Sequence, residues 1–135
     1  MGSNINEIGL NAGKIWKMLD LNGSLSQTQI VKKTKIKYDD FYTAIGWLAC
    51  ENKICSDGNI FWLGETNLKD KIGNDAGKIW NILYKCGDID ETYIPKLAEV
   101  DKYDTYSAIG WLAKEGKIKT KNVKPKKTKR FYGLK

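Results

Sequence analysis

The sequence contains no histidine, and among its 135 residues there are only three cysteines and two prolines. Without histidine the chain lacks the side chain that most often acts as a general base or metal ligand near neutral pH. Cys50, Cys55 and Cys86 are odd in number and match neither a disulfide framework nor a four-ligand zinc spacing. They read as small, semi-buried thiols of a reduced, cytoplasmic protein. No glycine-rich phosphate loop of the P-loop or dinucleotide-binding kind occurs. No apolar run nears the roughly 18 residues that a membrane span needs. Met1 to Asn6 lacks the basic-then-apolar pattern of a secretory signal. Asp39 and Asp40 are adjacent carboxylates, but on a helix they project about 100° apart and read as capping residues. These absences argue against an enzyme and lead us to expect no catalytic residues, metal, cofactor or membrane contact.

What is present is aromatic and basic. Five tryptophans, seven tyrosines and three phenylalanines in a chain that is 41% apolar can bury a core. A unit of about 60 residues buries little on its own, so two such units would lean on each other. The net charge of +7 is unevenly placed. Lys114 to Lys135 holds nine lysines and one arginine against Glu115, a net of +9, and the rest of the chain is at −2. A basic end of this kind attracts polyanions such as nucleic acid. The competing reading is a solvated lysine-rich tail that serves solubility.

The clearest signal is an internal repeat, in which Ile8–Ile54 lies without a gap over Ile72–Ile118 at a shift of 64. Ala12-Gly13-Lys14-Ile15-Trp16 recurs as Ala76-Gly77-Lys78-Ile79-Trp80. Ala44-Ile45-Gly46-Trp47-Leu48-Ala49 recurs as Ala108-Ile109-Gly110-Trp111-Leu112-Ala113. Each copy reads in one order. Asn11 or Asp75 caps a first helix whose apolar stripe is Ala12, Ile15, Trp16 and Leu19, and Gly23 or Gly87 ends it. A short extended piece follows. The second helix runs from about 26 to 34, with Ser26 and Gln29 as a capping box, or from about 90 to 99, with Pro95 in its first turns. The third covers about 38–51 or 103–115, with Tyr42, Ile45, Leu48 and Ala49 facing the core. A β-hairpin closes each copy, with Asp57-Gly58 as the first turn. Matching Phe61 to Phe131 implies six extra residues in the second hairpin. The spacing therefore predicts an α+β fold, mainly α: two tandem winged helix-turn-helix domains, each of three helices plus a hairpin wing, forming a pseudo-dimer. The domains are 1–64 and 75–135, with 65–74 as a polar linker.

The motifs Asn11-Ala12-Gly13-Lys14-Ile15-Trp16 and Ala44-Ile45-Gly46-Trp47-Leu48-Ala49-x-Glu51-x-Lys53-Ile54 resemble those of a prokaryotic family of winged helix-turn-helix domains of unknown function. The second copy departs from them with Asp75 for the asparagine and with Gly116 before Lys117. The resemblance covers most of both copies and implies the fold. It implies no catalytic or binding residues. It also implies that single-copy relatives pair as homodimers, which this chain would make covalent.

Helix-turn-helix readers present one helix to base edges in the major groove, where Arg, Lys, Asn, Gln or Ser suit the contacts. Here the third helices open on Tyr38-Asp39-Asp40 and Tyr103-Asp104, whose carboxylates repel phosphates and complement the helix dipole. The second wing is the better candidate: Lys119, Lys121, Lys124, Lys126, Lys127, Lys129 and Arg130, backed by Phe131 and Tyr132, would contact phosphates. Lys14, Lys78, Lys32 and Lys33 would assist if geometry allows. Trp47 and Trp111 lie opposite the core face, beside Ala44 and Ala108, and with Trp16 and Trp80 are the candidate domain or partner interface. The expected function is nucleic-acid binding, to duplex DNA before RNA, in a transcriptional regulator. The alternative is a protein-interaction module that binds no nucleic acid.

Overall fold

The computed structural model describes residues 4–122 and 130–135. Helix α1 (Ile5–Asn22) is followed by strand β1 (Leu25–Ser26), helix α2 (Gln27–Thr34), helix α3 (Tyr38–Cys50) and the hairpin β2 (Ile54–Asp57) and β3 (Ile60–Leu63). The order then repeats: α4 (Lys69–Cys86), β4 (Ile89–Asp90), a single 3-10 turn (Glu91–Tyr93), α5 (Ile94–Ala98), α6 (Lys102–Lys114), β5 (Ile118–Asn122) and β6 (Arg130–Leu134). No helix among the described residues is long and apolar enough to cross a membrane.

The first helices start earlier than the repeat motif indicates. Asn4 caps α1 by accepting a hydrogen bond from the Glu7 amide at 2.9 Å, so Asn11 lies inside the helix. Asp75 likewise lies inside α4, where it is buried and ion-paired with Lys71 at 2.9 Å. Because α4 begins at Lys69, residues 69–74 of the expected linker are helical. The Ser26–Gln29 capping box is formed, and Pro95 occupies the first turn of α5, where its missing N–H leaves no helical bond unmade.

Each hairpin is joined by the short strand before the second helix, giving three-stranded sheets in the orders β1-β3-β2 and β4-β6-β5. In the first wing Asp57 pairs with Ile60, so the two turn residues are Gly58 and Asn59, one place beyond the expected pair. Gly58, at φ 62, takes the positive φ that the first position of such a turn demands. Leu25 pairs with Phe61, and its repeat mate Ile89 pairs with Tyr132. The partner of Phe61 is thus Tyr132 and not Phe131, and the second hairpin is seven residues longer, not six.

Two apolar cores result, and they interlock. Ile8 of the first copy is buried in the core of the second, and Ile72 of the second is buried in the core of the first. Between the cores α3 and α6 run side by side in the same direction. Their N-terminal ends meet through Asp39–Lys102 (3.7 Å) and a Tyr42–Tyr103 stack (4.7 Å), and their C-terminal ends through Glu51–Lys114 (3.7 Å). Gly46 and Gly110 allow the approach. A Cβ at Gly46 would collide with the Ser107 carbonyl oxygen, and one at Gly110 with that of Thr43.

Candidate nucleic-acid interface

The third helices are the first place to look for a groove-reading surface, and beyond their acidic first turns they are largely covered. From Phe41 to Ala49 every residue of α3 is buried except Tyr42 and Trp47, which are half-buried, and α6 is buried continuously from Thr105 to Gly110. The acidic residues at their starts are engaged. Asp39 pairs with Lys102, and Asp104 pairs at 3.3 Å with Lys71, which also holds Asp75. The hydrogen bond to Asp75 is the main cause of a raised Lys71 pKa. Asp101 caps α6, accepting from the amides of Tyr103 (3.1 Å) and Asp104 (3.5 Å).

The second wing distributes its charge unevenly. Lys119 and Lys121 are exposed on β5, two residues apart and therefore on one face of the sheet. Opposite them stand Gly133 and Phe131. Gly133 has no side chain, and a Cβ there would collide with the Asp88 carboxylate and come within 3.5 Å of the Lys119 stem. One carboxylate thus sits at the root of the basic face. Lys124, Lys126, Lys127 and Lys129 lie in 123–129, outside the described residues.

Arg130 corrects the sequence expectation. It is 4% exposed, so its guanidinium is not offered to phosphates. The one-residue register shift places it on the inward side of β6, where it hydrogen-bonds the Tyr132 phenol. Tyr132 and Tyr106 are both held well above the usual tyrosine range, by burial first and then by the Glu91 carboxylate, which accepts from Tyr106 Oη at 3.4 Å. The equivalent pair in the first copy is neutral, with Tyr42 Oη donating to Gln27 Oε1 at 2.5 Å. Burial, then Tyr103, raises the Tyr42 pKa.

Lys14, Lys78, Lys32 and Lys33 are all exposed, but on helices α1, α4 and α2 and not on the wing. The first wing has no basic residue between Lys53 and Gly64. Trp47 and Trp111 each pack against both cores, so they lie between the halves. Trp80 packs on the second core alone, and Trp16 is 37% exposed, so neither of these joins the halves. Sequence reasoning passed over Lys114, which reaches across to Glu51 and sets its Nζ 5.4 Å from the centroid of the Trp47 ring. Cys55 is buried, with Sγ donating to the Glu65 carbonyl at 2.8 Å. Cys50 is half-buried, and burial, then Glu115, pushes its thiol pKa up. Cys86 is exposed, contrary to the expectation of three semi-buried thiols. Among the described residues no cluster of three metal-ligating side chains is present.

A family model described as winged helix-turn-helix domain (DUF2582) matches the chain twice, over residues 1–60 and 68–130. Comparison with curated proteins and with solved structures finds no match.

Proposed function

The chain belongs to the DUF2582 family of winged helix-turn-helix domains, and from that membership we propose that it binds nucleic acid, duplex DNA in the first instance, through phosphates and not through base edges. The observation that carries this reading is the burial of α3 and α6 against one another at Gly46 and Gly110. A recognition helix must lie in the major groove with side chains on base edges. Covered from Phe41 and from Thr105 onward, these helices leave open chiefly their first turns, where Asp39, Asp40 and Asp104 oppose phosphates. Contact then falls to the second wing, where Lys119 and Lys121 are exposed on β5 and the sequence of 123–129 adds Lys124, Lys126, Lys127 and Lys129. Ammonium groups on flexible stems neutralise phosphates without distinguishing base pairs. As a transcriptional regulator the protein would act by occupying the backbone, not by reading a site with a helix.

Anisotropy titration of a labelled duplex at several salt concentrations tests this. Neutralising about five phosphates gives a slope of log affinity against log salt of about −4.5. Glutamine at Lys119, Lys121, Lys124, Lys126, Lys127 and Lys129 should flatten that slope and weaken binding. Unchanged affinity in this variant, or no binding of the native chain at about 50 mM salt, where electrostatic contacts are strong, overturns the reading. The covered third helices also favour a second reading, a protein-interaction module that binds no nucleic acid. The glutamine variant would then keep its partner.

A further inference from the structure

The outer edge of the wing is closed in the first copy and open in the second. Two equivalent bonds set the register: the Gly64 amide donates to the Lys53 carbonyl at 3.1 Å, and the Lys135 amide to the Lys117 carbonyl at 3.0 Å. In an antiparallel pair, successive residues turn their backbone groups alternately towards the partner strand and away from it. Counting from Lys53, it is Cys55 and Asp57 of β2 that bond to β3. Counting from Lys117, it is Lys119 and Lys121 of β5 that bond to β6. The N–H and C=O of Ser56, and those of its repeat mate Thr120, therefore point out of the sheet edge.

Asn67 closes the first edge. Its Oδ1 accepts from the Ser56 amide at 3.0 Å, and its Nδ2 donates to the Ser56 carbonyl at 2.8 Å. The carboxamide stands where the peptide groups of a neighbouring strand would. The same segment is fastened by Cys55 Sγ to the Glu65 carbonyl and by the Thr66 amide to Asn52 Oδ1 at 2.8 Å. Among the described residues no such bond closes the outward N–H and C=O of Thr120. The other outer strands, β1 and β4, are two residues long and run straight into helical turns. Strand β5, five residues long, is thus the one extended open edge among the described residues. An unpaired edge of this kind is a template for a further strand.

Charge decides what kind of strand fits. Lys119 and Lys121 are exposed on one face of β5, while Ile118 is buried and Thr120 half-buried on the other. A second copy adding its own β5 antiparallel about Thr120 would set lysine directly against lysine, which is destabilising. Carboxylates at alternate positions of an added strand would instead meet both lysines, and apolar residues between them would face as Ile118 and Thr120 do. We propose that β5 receives an extended acidic segment of a partner protein as a further strand of this sheet. Backbone bonds to Thr120 hold the segment, and Lys119 and Lys121 select its carboxylates. The lysines are shared with the nucleic-acid reading but the backbone edge is not, so each reading can fail without the other.

The test records amide shifts and amide exchange in the intact, 15N-labelled chain. The probe is a capped peptide that alternates valine and glutamate over about six residues, a usual strand length. The Thr120 amide should shift and exchange more slowly, while the Ser56 amide, already bonded to Asn67, stays unchanged. A peptide with lysine for glutamate should bind about tenfold more weakly or worse, because attractive cross-strand pairs become repulsive. Thr120→Pro removes an outward N–H without touching a bond to β6, as proline does on natural edge strands. It should abolish peptide binding and leave any salt-dependent binding of duplex DNA intact. The reverse pattern, peptide bound and no DNA bound, would sink the nucleic-acid reading and keep this one. The proposal is overturned if no amide moves at about 10 mM peptide, where a contact with a dissociation constant on the order of 1 mM is nearly saturated. In that case the lysines only guard the edge. It is overturned equally if Lys119 and Lys121 shift while Thr120 exchange stays fast, since charge alone then attracts the peptide. Protection of Thr120 that grows with protein concentration in the free chain would make the occupant a second copy and overturn it too. If Thr120→Pro does not fold, the Thr120 amide of the native chain decides alone.

Discussion

Gly46 and Gly13 are both helical glycines, and alanine is expected to act oppositely at the two. At Gly46 the new methyl group collides with the backbone carbonyl of Ser107, which cannot rotate away as a side chain could. The helices must part, and overpacking of this kind costs about 1–3 kcal/mol or more. At Gly13 there is open space within 4 Å, and alanine should stabilise by about 0.5–1 kcal/mol through helix propensity alone. Thermal melts of Gly46→Ala and Gly13→Ala decide the matter, and changes of the same sign would refute the assignment of one glycine to packing and the other to open space. A second residue-level expectation concerns the buried phenols. Tyr132 is fully buried and its pKa is raised in the folded chain, so above pH 10 the unfolded chain ionises while the native one stays protonated. Its contribution to stability is therefore complete below pH 10 and is lost as pH rises from there toward the folded value, at about 1.4 kcal/mol per pH unit. Tyr132→Phe should flatten the alkaline fall in Tm. An equally steep fall in that variant would place the titrating group elsewhere.

At the scale of elements, the start of α2 depends on two reciprocal bonds, Gln29 N–H to Ser26 Oγ at 3.1 Å and Ser26 N–H to Gln29 Oε1 at 2.8 Å. Ser26→Ala should cost about 1 kcal/mol, measured by urea unfolding at unchanged m-value. An unchanged midpoint would mean that tertiary contacts hold this end without the cap. The capping box was legible because a serine and a glutamine three residues on announce it locally. So were all six main helices and both wings, since their apolar spacing repeats in both copies. The starts of α1 and α4 were not legible. Asn11 and Asp75 look like caps, yet Ile5, Ile8 and Ile72 upstream are apolar because they belong to the opposite core, which no local pattern announces. The register of β6 failed for a related reason. Phe131 resembles Phe61 in type, but pairing with Ile89 selects Tyr132, and a slip of one residue exchanges the faces of a strand. That slip turns Arg130 inward and removes it from the basic face. The lysines of β5 were legible from composition and alternation. The helical wheel set Trp47 opposite the core face without saying what covers it, and the closure of α3 by α6 depends on a glycine–carbonyl approach between distant segments that could not be read from one helix.

At the scale of the whole molecule, the two copies are joined by exchange as well as by contact. Ile8 lies in the core formed mainly by the second copy and Ile72 in that of the first, so neither copy completes its own interior. The α3–α6 pair adds a backbone-close interface that isolated copies would leave as a bare glycine face. The chain should therefore unfold in one cooperative transition, with coincident curves by tryptophan fluorescence and far-UV circular dichroism. Two resolved transitions would mean that the halves are independent. A fragment of residues 1–64 should either pair with itself through α3 or remain unfolded, and a stable folded monomer in ultracentrifugation would contradict the exchange. Ile8→Ala separates exchange from simple contact. Removing a fully buried isoleucine costs about 2–5 kcal/mol, but the location of the damage is the informative part. If Ile8 fills the second core, amide exchange should accelerate around Leu83, Ile109 and Leu112, residues more than sixty positions away in sequence, at least as much as around Ile15 and Leu48 of its own copy. Loss of protection confined to the first copy would show that Ile8 serves its own core, and the interlocked pair would have to be redrawn as two domains that merely touch.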